Sequence, residues 1–527
     1  MSSSGAITRT GAVPAAPAQP PPLKGSALAL TALALALGTF MQVLDSTIAN
    51  VSLPTIAGNL GVSSDQGTWV ITSFAVANGV GVPLTGWLMG RYGVVRTFVF
   101  SVIAFTVSSF LCGIAWSLPS LIFFRILQGG TSGPMIPGSQ ALLIAIFPPE
   151  KRATALGIWS ITTLVAPICG PILGGYISDN YHWGWIFLIN VPVGAVVTFL
   201  TWRALASRET PVRKLPIDMV GLGLLIVWVG SLQVMLDQGK DLDWFSSTEI
   251  AVLGAVTAIG FVGFLIWELT DEHPIVDLSL FKNRNFALGT LAFCLGYAVF
   301  FANNLLMPLW LQTQIGYTAT WAGLVAAPTG VIAVLLTPMA ARMISRIDAR
   351  LIATVAFIAF GISYLMRANL TADASFFDFM LPLLVQGISM ATYFLAMVTL
   401  LLDGVPPSRI PLASGLSNFA RITAGGFAAS IVTTMWDRRE ALHQSRMVDL
   451  TTQFSPTFNQ ALAGLHRLGI SDLSAKAALA RTITSQAYLL SADDIFWISG
   501  WICFVLIGTV WLCRPAKSGG GAPVAAD

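Results

Sequence analysis

Leu44-Asp45-Ser46-Thr47-Ile48-Ala49-Asn50-Val51-Ser52-Leu53-Pro54 ends an apolar run that begins near Ala27. Nearly every residue from Ala27 to Val43 is Ala, Leu, Gly, Met, Phe or Val. Such a run is long enough to cross a bilayer, which takes ~20 residues. Asp45 lies inside it, near its far end. A carboxylate there costs roughly 2.5–3.5 kcal/mol on insertion scales, so it is rarely incidental. One reading makes Asp45 a helix cap at headgroup level. The better supported reading is a polar lining, because Gln42, Asp45 and Ala49 fall on one helical face with Thr39 close by.

The rest of the chain carries the same signal. Of its 527 residues 55% are hydrophobic and only 10% charged, and the mean hydropathy is +0.75. Soluble domains carry about 25% charged residues, so this is an all-α polytopic membrane protein. The five cysteines lie in apolar runs without paired spacing, which argues against a disulfide framework and a metal site alike. Residues 1–26, rich in Pro, Ala and Ser, read as a disordered tail. The apolar region behind Lys24 is too long for the core of a cleaved signal peptide and has no clean cleavage site, so it reads as a retained first span.

Fourteen candidate spans follow: 27–47, 67–87, 97–116, 119–141, 153–177, 185–205, 217–236, 249–269, 286–310, 321–341, 351–368, 378–401, 412–435 and 494–513. With the N-terminus inside, the cytoplasmic segments hold eighteen Lys and Arg, while the short outside loops hold only Lys240 and Arg367. That asymmetry places both termini, and the tail 514–527, in the cytoplasm. Residues 436–493 form a long outside segment with Gly469 as a helix stop and Ser471-Asp472 as a restart. Two or three amphipathic helices are expected there. Leu473, Ala477, Ala480, Ile483 and Ala487 recur at helical spacing, and that face must bury against a partner or against the protein's own surface as a lid. Pro83–Arg91 and Pro338–Arg346 repeat a small–apolar–Arg pattern at an offset of 255 residues. The expected domains are therefore two six-helix halves, 27–205 and 286–513, with 217–269 inserted between them.

Several polar groups sit deep in spans. Arg125, Gln128 and Ser132 share a face of span 4, and an arginine so far inside faces protein or water. Span 5 carries Pro167, Gly170, Pro171, Gly174 and Gly175; the glycines allow close helix contact, and a hinge or a static packing face are both open. Span 13 places Ser414, Asn418, Arg421 and Gly425 on one stripe. Span 9 offers Tyr297, Phe301 and Asn304, and span 12 offers Gln386, Met390, Tyr393 and Met397. These read either as packing or as an adaptable cavity for greasy ligands, with Gln42 and Gln128 as further lining candidates. Glu268, Asp271 and Glu272 read as an interfacial cluster. No phosphate-cradling loop, His-Glu-x-x-His or Gly-x-Ser-x-Gly arrangement is present, so nothing points to an enzyme, a cofactor or a nucleic acid.

Leu44–Pro54 resembles the first-span motif of the fourteen-span drug/proton antiporters of the major facilitator superfamily. Arg125–Gly129 resembles the span-4 motif, Ala166–Gly175 the antiporter motif and Trp183–Pro192 the start of span 6. The likeness runs from Ala27 to Arg514 and is strongest to the EmrB-type multidrug exporters of Gram-negative bacteria. Two positions depart from the family pattern: Gly90 stands where an Asp is usual, and Ala166 where a Gly is usual. The resemblance implies a major facilitator fold of fourteen helices in the bacterial inner membrane. It also implies export of lipophilic drugs and uncouplers with a periplasmic adaptor and an outer-membrane channel. Asp45 and Arg125 would then couple export to protons, with no cofactor. A proton-coupled importer of a small nutrient is the alternative, and the Met, Phe and Tyr stripes speak against its strongly polar cavity.

Overall fold

Each apolar run becomes a helix, because backbone polar groups in hydrocarbon must pair within their own segment. The structure, a computed structural model of the chain, describes residues 23–515 except 149–150, 213–215, 272–273, 345, 373, 407–408 and 453. Most of the tails 1–26 and 514–527 thus lies outside the described residues. No strand occurs among those described. Span 1 is Gly25–Leu60, span 3 Val94–Gly113, span 5 Arg152–Asn180, span 7 Met219–Gln238 and span 8 Thr248–Thr270. Span 2 is a pair, Trp69–Gly81 and Thr85–Tyr92, meeting at 54°. Span 4 runs Leu118–Ser132 and resumes as Met135–Ile146; span 6 is Trp185–Leu188 and Asn190–Leu205. Spans 9 to 12 are Arg284–Trp310, Ala319–Ile344, Ala349–Arg367 and Phe376–Leu402, and spans 13 and 14 are Ile410–Leu450 and Asp472–Trp511.

All fourteen expected spans have helical counterparts. Eleven of these helices are long and apolar enough to cross a bilayer, or twelve with the bent pair. The other two have physical reasons to fall short. Gly133-Pro134 splits span 4 into two short pieces, and span 13 carries Asn418, Arg421 and a charged extension.

Spans 1 to 6 pack chiefly on one another, span 1 most extensively on span 5 and span 2 on span 4. Spans 9 to 14 form a second set, and the two sets meet where span 5 lies against spans 10 and 12 and where the second part of span 4 meets span 13. Spans 7 and 8 pair with each other, and span 7 leans on span 2. Asp237 of span 7 accepts a hydrogen bond from Thr72 of span 2. On its other side the Ser430 hydroxyl of span 13 donates to the Leu236 carbonyl at 2.6 Å, and Lys240 pairs with Asp437 at 2.9 Å.

Four expectations need correction. Span 1 does not end near Asp45; it continues to Leu60, where Gly61 at φ 66° caps it. Asp45 is therefore interior, and the capping reading fails. Arg367 is not a loop residue but the last residue of span 11, and it is 1% exposed. Glu268 is not at an open interface: it is buried and accepts from the Val276 amide at 3.0 Å; Glu272 lies outside the described residues. Finally, 436–493 is not a set of separate helices. Spans 13 and 14 continue through it as a hairpin, and only Pro456–Arg467 is an added helix. At 41 residues the span 13 helix is ~60 Å long at ~1.5 Å per residue, twice the ~30 Å of bilayer hydrocarbon.

Candidate functional site

Span 1 presents Asp45 inward, where spans 3, 4 and 6 converge on it. Arg125 Nη1 donates to Asp45 Oδ2 at 2.6 Å, and both side chains are almost fully buried. Asp45 Oδ1 accepts from Gln128 Nε2 at 3.0 Å and from Asn190 Nδ2 at 2.8 Å. Both of those amides also reach the Ser109 hydroxyl, at 2.6 and 3.2 Å. Arg125 is held in turn: its Nε donates to the Val70 carbonyl at 3.0 Å and its Nη1 to Gln128 Oε1 at 2.7 Å. Its guanidinium lies 4.2 Å from the Phe74 ring centre and 5.4 Å from that of Phe187. A buried ion pair persists only when its remaining lone pairs and protons are satisfied, and here both carboxylate oxygens are. Asp45 is thus the single charge on which donors from spans 4 and 6 converge against span 1.

The span 5 motif braces the same stretch. A Cβ on Gly170 would fall 2.1 Å from Thr47 Oγ1, and one on Gly174 2.8 Å from the Ile48 carbonyl oxygen. Ser178 donates to Ser52 at 2.7 Å across the same contact. Close packing against span 1 is thus what these glycines permit; Gly175 is half-buried beside them, and the Pro171 side chain lies outside the described residues. On span 13, Arg421 donates to Asn418 Oδ1 at 3.1 and 3.3 Å and stacks 4.4 Å from the Tyr297 ring centre. Asn418 donates to Gln140 Oε1 at 3.1 Å, linking span 13 to span 4.

The Major Facilitator Superfamily profile matches residues 35–430. The chain belongs to the major facilitator superfamily. It is 50% identical to the multidrug export protein EmrB of Escherichia coli K12, over 95% of this chain and 98% of that one. It is 48% identical to the fatty acid resistance protein FarB of Neisseria gonorrhoeae, over 95% and 99% of the two chains. Among solved structures, the proton:xylose symporter XylE aligns with a TM-score of 0.60 over 92% of this chain and 95% of its own, at 12% identity, which speaks to the fold alone.

In this facilitator fold the remaining expected site residues divide. Asn304 and Met390 line a narrow cleft between span 5 and the second half, together with Pro167, Phe300, Ala326 and Ala333. Phe301 stacks on Tyr297, with ring centres 5.7 Å apart, and both face Gly425. Tyr393 is not among the residues of that cleft: it is fully buried among Phe293, Phe357, Phe360 and Phe394, and its hydroxyl donates to the Phe293 carbonyl. Gln386 is also buried, engaged by Arg367. Gln42 is buried on the Asp45 face but makes no hydrogen bond to Asp45, and its Oε1 has no partner. Met397 is core.

Three participants escaped the sequence reading. Ser109 and Asn190 join the Asp45 cluster from spans 3 and 6; the Asn in an otherwise apolar span 6 was the available signal. Glu209 is the third. Its carboxylate accepts from the Val95 and Arg96 amides at 3.0 and 2.8 Å, bringing an acidic group to the N-terminus of span 3, where the helix dipole favours it. Gly90 itself lies in the helix Thr85–Tyr92, and it is the Gly93 turn after that helix which the Glu209 carboxylate meets.

Proposed function

We propose that this chain exports lipophilic drugs across the bacterial inner membrane by alternating access, driven by proton entry. The buried Asp45–Arg125 pair, clamped by Gln128 and Asn190, carries the reading. It is the one site among the described residues where a carboxylate and a guanidinium meet deep inside the bundle. The 50% identity to a multidrug exporter over nearly the whole chain supports the drug as cargo.

In the proposed cycle Asp45 takes a proton from the periplasmic side. The neutral acid releases Arg125 and relaxes the grip of spans 4 and 6 on span 1. Loss of the proton to the cytoplasm restores the clamp. Two protonation states with different preferred conformations are what a gradient needs to drive a cycle. The halves 27–205 and 286–513 rock about the span 5 and span 10 contact, and Arg421, Asn418, Asn304, Phe301 and Met390 offer lipophilic compounds a wall of mixed character. Both termini face the cytoplasm, and the hairpin of spans 13 and 14 stands in the periplasm, where it docks an adaptor that leads to an outer-membrane channel. No enzymatic step and no cofactor enter the scheme.

The test is drug-dependent proton movement in vesicles containing the purified chain. A lipophilic substrate should release protons from the wild type, and the release should vanish with Asp45→Asn. Release at the wild-type level from that variant would reject Asp45 as the coupling site.

A further inference from the structure

The Asp45 cluster has a counterpart in the second half. Span 11 supplies Ser363 as span 3 supplies Ser109, and span 12 supplies Gln386 as span 4 supplies Gln128, each close to the offset of the sequence repeat. Asn303 of span 9 stands where span 1 has Asp45, and it donates to the Ser499 hydroxyl of span 14 at 2.9 Å. The cation comes from a different helix. Arg367 of span 11 donates to Gln386 Oε1 and reaches the Ser363 hydroxyl at 3.5 Å, with the Tyr364 and Phe496 rings 5.3 and 5.8 Å away. The two halves thus share a polar frame and an arginine. The carboxylate is present only in the first.

Arg367 is 1% exposed, and no carboxylate pairs with it among the described residues. Its Nε is a buried N–H without an acceptor. A buried guanidinium lacking its anion is costly to keep, and inside a membrane bundle such a group marks a binding or transport path. Arg367 also borders a narrow cleft whose walls include Asn303, Asn304, Met307, Val325 and Leu383. Asn304 and Ala326 belong to this cleft and to the cleft lined by Phe300 and Met390. A charged seat therefore adjoins an apolar slot.

We propose that Arg367 is the seat for the carboxylate of an amphiphilic acid, whose apolar tail lies in the adjoining cleft. The guanidinium fork matches a carboxylate in shape and charge. Asn303 Oδ1, which lacks a donor, leaves room for a dipole but supplies no net charge, so the uncompensated positive charge selects the headgroup. The first half then carries its carboxylate permanently and the second half receives it with the cargo. The proposal deepens the export reading by naming the group that recognises acidic substrates.

The probes are laurate and dodecanol, which share a tail and differ in charge, titrated into the purified full-length chain in lipid nanodiscs. Arg367→Gln removes the cation. Asn303→Asp leaves it and places a resident carboxylate on a wall of the same cleft, where the first half has Asp45, to compete with an incoming headgroup, and it guards against misfolding from loss of the cation in the first variant. Both variants should weaken laurate binding by about tenfold or more, the equivalent of ~1.4 kcal/mol, and leave dodecanol binding within about twofold. Laurate affinity that is unchanged in both variants overturns the proposal. So does equal loss of laurate and dodecanol, or a loss produced by Arg421→Gln alone. Export of a cationic dye by wild-type vesicles is read in parallel: if that fails while laurate still depends on Arg367, the export reading falls and the carboxylate seat stands.

Discussion

Gly170 of span 5 lies against Thr47 of span 1, two residues from Asp45, so closely that a methyl group would fall 2.1 Å from the Thr47 hydroxyl oxygen. Rotating the hydroxyl does not relieve the contact, since the Thr47 Cβ and the Ile48 amide nitrogen stand 2.9 and 3.2 Å away. Overpacking of this kind costs about 1–3 kcal/mol. Gly170→Ala should therefore lower the melting temperature and slow drug-driven proton exchange, because it displaces the stretch that carries Asp45. Gly90→Ala is the control, with no neighbour within 4 Å of the added methyl. If the two variants behave alike in thermal unfolding and vesicle assays, the contact between spans 1 and 5 has slack.

Arg125 should tolerate neither truncation nor a change of shape. Arg125→Ala leaves the Asp45 charge buried without its partner, a loss on the order of 3–5 kcal/mol, and should abolish coupled transport. Arg125→Lys keeps the charge but replaces a fork that reaches Val70, Gln128 and Asp45 together with a single ammonium. Intermediate stability and impaired exchange are expected. Normal transport by Arg125→Ala, at normal expression, would show that the ion pair is structural ornament to the cycle.

Asp45→Asn is informative for a different reason. Oδ1 accepts from two amide N–H groups and Oδ2 from a guanidinium, so an Asn NH2 meets a donor in either orientation. The variant should fold at some cost in stability, because a Gln128 turned to offer its oxygen to the new amide no longer accepts from Arg125, yet lose proton release. Infrared difference spectra of the wild type should show a carboxyl band that responds to drug and is missing in the variant. A drug-responsive band that survives Asp45→Asn would assign the proton to another group.

How far the sequence reading reached follows from the kind of signal each element left. Span number came from apolar length, which a bilayer dictates directly. Asp45 and Arg125 were legible because each is a costly charge in an apolar run, and their pairing required only that spans 1 and 4 meet. Arg367 was misplaced by the same logic: it ends its helix, and a terminal arginine looks like a loop residue until span 12 is seen to bring Gln386 beneath it. Tyr393 shows the converse limit. Its helical spacing with Met390 is real, but one turn decides whether a side chain meets the cleft or the aromatic core, and periodicity does not resolve that. The hairpin was read as separate helices because polar composition, not helix breaks, marks where spans 13 and 14 leave the membrane.

That difference between Met390 and Tyr393 is itself testable. Met390→Ala and Phe301→Ala alter cleft walls and should change resistance to some lipophilic compounds by several-fold while sparing others. Tyr393→Ala empties a site packed by four aromatic rings, at a cost of about 3–5 kcal/mol, and should lower the yield of folded protein and transport of every compound together. A selective change of range with Tyr393→Ala, at wild-type thermal stability, would return that residue to the cavity wall.

The hairpin invites the last prediction. Its two helices are pinned to each other near the base: Trp436 Nε1 donates to the Tyr488 carbonyl at 3.0 Å, and Gln444 Nε2 to Thr484 at 2.8 Å. Arg439 and His443 both engage Asp494. Beyond that zone apolar groups stand open, with Phe454, Leu468 and Leu473 at 92%, 77% and 82% exposure, and Ala477 and Ala480 also exposed. A lid would bury this face on the transporter; here its outer part is uncovered, as a docking surface requires, while Ile483 is half-buried and Ala487 buried toward the base. Replacing 446–482 with a short Gly/Ser linker keeps every base contact. Drug-driven proton release in purified vesicles should then persist, while resistance in cells and co-purification of a periplasmic adaptor are lost. Failure of vesicle transport with adaptor binding intact would make the hairpin part of the transport machinery, because the contacts that hold spans 13 and 14 together would still be in place.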